Sequence, residues 1–158
     1  MNFGLYTLVI ENHFRKTFSG GGFAFDFGWG NGYVLLPLNH PLYGVDYNVL
    51  NVNVHGGLTF GEKFEANNFP LWVRDSEIDG DVTMENCQQF DGYWMFGFDT
   101  SHYGDTLITC PKNYVMRDTK ELLEQLLDDD IENMKRYKSI YYRKDRKDKL
   151  ELINKMPQ

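Results

Sequence analysis

Three short runs hold the side chains of this chain best suited to moving protons or holding ions. The richest is Gly97-Phe98-Asp99-Thr100-Ser101-His102-Tyr103-Gly104-Asp105, which crowds Asp99, His102 and Asp105 into seven residues just after an apolar stretch. A carboxylate beside an imidazole orients the ring and tunes it for acid–base work, or joins it in a metal shell. The plainer alternative is an Asx-type turn around a hydrogen-bonded histidine. The second run is His55-Gly56-Gly57-Leu58-Thr59. Adjacent glycines let backbone approach a ligand and can turn N–H groups toward an anion or a developing oxyanion, with His55 at the mouth of the turn. A hairpin turn with a structural histidine is the competing reading. The third run is Asn39-His40-Pro41-Leu42-Tyr43-Gly44-Val45-Asp46-Tyr47, where a residue fixed in extended conformation before proline could present its ring to a pocket, or simply bond nearby backbone.

If these turns meet at one end of a sheet, His40, His55, Gly56, Gly57, Thr59, Asp99, His102 and Asp105 form one ligand-binding set. In a catalytic version His55 or His102 is the base and Asp99 its orienter. Two or three histidines with a carboxylate also suit Zn²⁺ or Mn²⁺. No HExxH-type spacing fixes such a geometry, so a divalent metal stays an open option and no cofactor is assigned. His13 lies apart and reads as a surface residue. Ser101 is not paired with His102 by adjacency alone, and no nucleophile elbow is present. Cys87 and Cys110 match neither a CxxC pair nor a zinc ribbon, lack a local activating signature, and read as free thiols. Ser19-Gly20-Gly21-Gly22 lacks the Lys-Ser/Thr of a phosphate loop. Asp75–Asp81 places Gly80 like a calcium loop, but position 12 is Asn86, so a solvated acidic loop is expected.

The elements that must carry these turns are mostly strands. Leu5–Ile10, Phe23–Phe27, Tyr33–Leu38, Val49–Val54, Phe69–Val73 and Tyr93–Phe98 are short and rich in aromatic and β-branched residues, and Asn31-Gly32 is a type I′ hairpin signal. All fifteen glycines lie at or before Gly104. The remainder is read as helical, opening near Asp118 with Glu121 in a capping-box arrangement. Leu122, Leu123, Leu126, Leu127, Ile131 and Met134 then fall on one stripe, and a second helix is expected over Asp145–Lys155. The fold class is α+β: an antiparallel sheet or small barrel with a C-terminal helical segment, one domain over 1–158, β-rich to 114 and helical with basic character over 115–156.

Bulk properties agree. At 158 residues, 42% hydrophobic and 25% charged, the chain can bury one core, and 16% aromatic residues favour strands. Residues 1–134 carry a net −13 and residues 135–158 a net +6. The basic tail, with Tyr137, Tyr141 and Tyr142 among its cations, either folds back on the acidic body or meets nucleic acid through phosphate contacts and stacking. No signal peptide or membrane span is apparent, so a cytoplasmic protein with no membrane partner is expected.

Taken together, the blocks Gly32-Tyr33-Val34, His40-Pro41, Gly44, Asp46-Tyr47, His55-Gly56-Gly57-Leu58-Thr59 and Gly97-Phe98-Asp99 with His102 and Gly104-Asp105 resemble a small protein family of phages, prophages and scattered bacterial genomes. The resemblance covers roughly residues 30–110. It implies a phage accessory protein, acting in the host cytoplasm and including antagonism of host defence, and it carries over no residue role. The expectation is therefore a His/Asp-lined pocket for a small anionic or nucleotide-like molecule. Its alternatives are a small hydrolase working by His/Asp or metal chemistry, and an acidic module that engages a host protein.

Overall fold

Alternation with a period of two organises the centre of the molecule, because successive strand side chains point to opposite faces. In β1 (Tyr6–Glu11) Leu8 and Ile10 enter one core while Val9 enters the other. In β2 (Gly30–Leu36) Tyr33 and Leu35 oppose Val34 and Leu36 in the same way. The computed structural model describes residues 4–12 and 27–127. Within them β3 (Phe60–Lys63), β4 (Ile78–Gly80) and β5 (Trp94–Phe98) complete a five-stranded sheet of order β3-β5-β2-β1-β4, antiparallel at every pairing. The sheet is open, with β3 and β4 at its edges, so of the two expected forms the barrel is excluded.

One face is covered by α2 (Lys112–Leu127), which lies across β1 and β2 and buries Val115, Leu122 and Leu126 against Val9, Val34, Leu36, Phe96 and Phe98. The other face carries α1 (Phe69–Val73) and the loops around it, with Phe64, Phe69, Val73 and Phe90 in its core. Among the described residues no helix is long and apolar enough to cross a membrane.

Several sequence expectations are corrected. Phe69–Val73 is a short helix with Pro70 in its first turn; Phe69 and Val73, four residues apart, are buried while Leu71 is exposed. A five-residue apolar run satisfies either period, and here the helical one holds. Val49–Val54 is not a strand. It follows a 3₁₀ turn at Tyr47–Val49, capped by the Asp46 carboxylate accepting the Asn48 N–H at 2.9 Å. The segment then finds its backbone partners on α2: the Gln125 side-chain amide accepts from Asn53 N–H at 2.7 Å and donates to Asn53 C=O at 2.9 Å.

Asn31-Gly32 forms no hairpin but lies inside β2, opposite Ile10 and Val9. Glycine is required at 32 because α2 passes so close: a Cβ there would stand 2.0 Å from Thr119 Oγ1 and 2.6 Å from the Phe98 ring. The helix starts at Lys112, directly after Pro111, so Asp118 is mid-helix rather than its cap. Leu127 is exposed, not buried with Leu122 and Leu126. The Asp75–Asp81 run includes an unforeseen edge strand, and Asp79 and Glu77 both pair with Lys112 Nζ at the start of α2, at 2.9 and 2.6 Å. Phe23–Asp26, His13, Ser19–Gly22, Ile131, Met134, the basic tail and the expected second helix lie outside the described residues.

Candidate functional site

The end of β5 and the first two turns of α2 come together at Asp105. The turn that follows Phe98 is closed by Asp105 N–H donating to His102 C=O at 2.9 Å, with Gly104 at a φ of +90°. That turn aims the Asp105 carboxylate back at its own histidine. Oδ2 accepts the His102 backbone N–H at 2.9 Å and the His102 Nδ1–H at 3.0 Å. Oδ1 accepts from His55 Nε2 at 3.0 Å and from the Cys110 thiol at 3.7 Å. A carboxylate has about four lone-pair directions, and four donors surround this one. The Asp105 side chain is only 8% exposed. Burial alone would raise its pKa, but the His102 backbone N–H and the two imidazole N–H groups outweigh burial and hold the carboxyl below its ordinary range.

His55 arrives from the segment clasped by Gln125. Its backbone N–H donates to Asp118 Oδ2 at 2.7 Å, which explains why that aspartate sits mid-helix. A carboxylate can only accept, so His55 Nε2 carries the proton toward Asp105, and in the neutral ring Nδ1 is the acceptor. The partner at Nδ1 is Tyr114 Oη, 2.8 Å away, whose O–H therefore donates. Burial, followed by the charge of Asp118, raises the Tyr114 pKa and keeps that proton in place. The two imidazoles lie 5.6 Å apart between centroids. They approach this closely because position 56 has no side chain: a Cβ on Gly56, at a φ of +67°, would stand 2.4 Å from His102 Cε1.

The remaining nitrogen of the pair, His102 Nε2, faces Asp99 Oδ1 at 3.6 Å on the more open side, where the His102 side chain is 38% exposed. Asp99 also accepts the Ser101 N–H at 3.0 Å, an Asx turn as in the plainer reading of this run. Ligand atoms of His55, His102 and Asp105 all lie within 4.8 Å of one another. Cys110, buried, stands 3.8 Å from His55 Nε2. Burial pushes its thiol pKa up, and the Asp105 charge adds to this, so it is a thiol rather than a ready thiolate nucleophile.

Of the residues singled out in the sequence, His55, Gly56, Asp99, His102 and Asp105 converge here. The carboxylate within hydrogen-bond reach of both rings is Asp105, at 3.0 Å from each, while Asp99 stands 3.6 Å from His102 alone. Gly57 follows Gly56 in the same turn, and its N–H is engaged there, donating to Val54 C=O at 2.9 Å. Thr59 is exposed and extends the β3–β5 ladder through its N–H to Gly97 C=O at 2.9 Å. His40 is buried elsewhere: its Nδ1 accepts Leu42 N–H at 3.1 Å and its Nε2 donates to Leu126 C=O at 3.3 Å. Leu126 is eight residues along α2 from Asp118, about 12 Å of helix.

Cys110, Tyr114 and Asp118 were not foreseen. Tyr114 and Asp118 are four apart and share a helix face, a signal visible only once the helix is started after Pro111. No family model, curated protein or solved structure matches the chain.

Proposed function

We propose that this protein is a small hydrolase whose acid–base group is His102, held in one tautomer by Asp105. The carrying observation is the division of the Asp105 carboxylate between two imidazoles, which holds His102 Nδ1–H on Oδ2 and directs His102 Nε2, the lone-pair nitrogen of the neutral ring, to the open side at 3.6 Å from Asp99. A base needs a lone pair in reach of substrate and a fixed ring; Asp105 supplies the second and, through the tautomer, the first. A proton taken up at Nε2 is met by the Asp99 carboxylate. His55, locked between Asp105 and Tyr114, completes the wall of the site.

The cluster holds three carboxylates, Asp99, Asp105 and Asp118, so a bare anion meets more negative than positive charge there. The small anionic or nucleotide-like molecule is accordingly read as a substrate that a cation or a protonated ring must help to hold, not as a cargo. Tyr103 and Ile108, almost fully exposed beside the site, offer apolar surface to a base or ring on such a substrate. The resemblance to phage and prophage proteins makes antagonism of host defence the setting for this activity.

The test is hydrolysis of a panel of nucleotides, phosphodiesters and activated acyl esters by the full chain. Turnover of at least one class is expected, falling about 10²–10⁴-fold in His102→Gln with the melting temperature retained. No turnover of any class, or turnover indifferent to His102→Gln, overturns the reading.

A further inference from the structure

We infer that His55 Nε2, Asp105 Oδ1 and Cys110 Sγ form a three-ligand site for a thiophilic divalent metal of the zinc class, beside His102. This rests on the hydrolase reading of the same cluster and supplies the cation that its three carboxylates call for. The separations are 3.0 Å from nitrogen to oxygen, 3.8 Å from sulfur to nitrogen and 3.7 Å from sulfur to oxygen. The point in their plane equidistant from three atoms so spaced lies about 2.0 Å from each, against zinc bonds of about 2.0–2.2 Å to nitrogen and oxygen and about 2.3 Å to sulfur. The three ligand atoms as they stand thus have the spacing that one ion of that size requires. Three protein ligands leave a position for water, the arrangement of catalytic rather than structural zinc sites.

The surroundings match what a metal needs around its ligands. With Nε2 on the metal, the His55 proton resides on Nδ1 and is donated to Tyr114 Oη, the partner already 2.8 Å away. Metal-bound histidines are oriented by such second hydrogen bonds. Asp105 Oδ2 keeps both His102 donors, so the ligand carboxylate and the His102 ring stay fixed relative to one another. The proton balance closes: the His55 proton moves from Nε2 to Nδ1, and binding releases one proton, from the Cys110 thiol. A thiolate ligand selects zinc or cobalt over magnesium and manganese.

Cobalt titration of the chelator-treated full chain tests this, because a thiolate bound to Co²⁺ gives a charge-transfer absorption band. One Co²⁺ per chain with that band, displaced by Zn²⁺ but not by Mg²⁺ or Mn²⁺, is expected. Cys110→Ser should abolish the band while Cys87→Ser, in the opposite core, retains it. Should Cys110→Ser fail to fold, Tyr114→Phe serves instead and should weaken cobalt binding about 10–100-fold. Absence of the band, its persistence in Cys110→Ser, unchanged affinity in Tyr114→Phe, or equal displacement by Mn²⁺ overturns the inference. Hydrolysis that survives chelation but is lost in His102→Gln removes the metal and leaves the hydrolase reading. A bound, banded cobalt with turnover indifferent to His102→Gln does the reverse.

Discussion

Three of the four histidines, His40, His55 and His102, sit in glycine-marked turns, and the partners of their ring nitrogens separate them. His55 and His102 each give one N–H to Asp105, which fixes opposite tautomers, Nε2–H in the first and Nδ1–H in the second. His40 has the same chemistry in a different place: both ring nitrogens bond to backbone and the ring is buried, so it serves the core. Burial lowers its pKa from the ordinary 6.5, with the Leu126 carbonyl opposing in part. A base with a lowered folded pKa binds fewer protons folded than unfolded as pH drops below 6.5, so stability falls there. Above 6.5 both states are neutral at this ring and its contribution is flat. Asp105, with its carboxyl held low, contributes stability that is fully present above the ordinary 3.8 and is lost as pH falls from there through its lower folded value, so it adds no slope between pH 7.5 and 5. Thermal melts from pH 7.5 to 5 should therefore show a declining melting temperature in the wild type and a shallower decline in His40→Gln. Equal slopes in both proteins would remove His40 as the cause.

At the scale of elements, the contact between α2 and the sheet sets the site, because α2 carries Tyr114 and Asp118 and its leading loop carries Asp105 and Cys110. Gly32 is what lets the helix sit so close. Gly32→Ala puts a methyl 2.0 Å from Thr119 Oγ1, whose hydroxyl is held at 2.7 Å to Val115 C=O and has little room to turn. Overpacking of this kind costs about 1–3 kcal/mol, a loss of several degrees in melting temperature for a domain of this size, measurable by calorimetry. A melting temperature within a degree of wild type would show that the helix can move away.

This contact also explains which elements were legible in the sequence. β1, β2 and β5 are central strands whose short, nearly continuous apolar runs are buried on both faces, and they appear close to where the pattern put them. Val49–Val54 carries a similar signature, yet Asn53 is held by the Gln125 amide and the next turn's His55 N–H by the Asp118 carboxylate, contacts 72 and 63 residues away that no local pattern encodes. Edge strands β3 and β4 are four and three residues long and half-polar, so they leave almost no periodic trace. The Asn31-Gly32 pair misled because its glycine answers a packing demand rather than a turn.

For the molecule as a whole, an open antiparallel sheet with a helix on one face delivers three turns to its ends, and two of the three meet. The histidine and aspartate composition of the site was visible in advance; the hub was not, since Asp105 and Asp99 are indistinguishable until the turn at Gly104 directs one of them inward. What unites fold and chemistry is the claim that Asp105 organises both imidazoles into a single unit. Nitrogen-15 NMR of the imidazole rings in the chelator-treated full chain tests it most directly, since neutral rings report which nitrogen is protonated. The structure predicts His55 as the Nε2–H tautomer and His102 as the Nδ1–H tautomer, with both signals displaced in Asp105→Asn. Rings that average between tautomers as free imidazole does, and that are indifferent to Asp105→Asn, would contradict it.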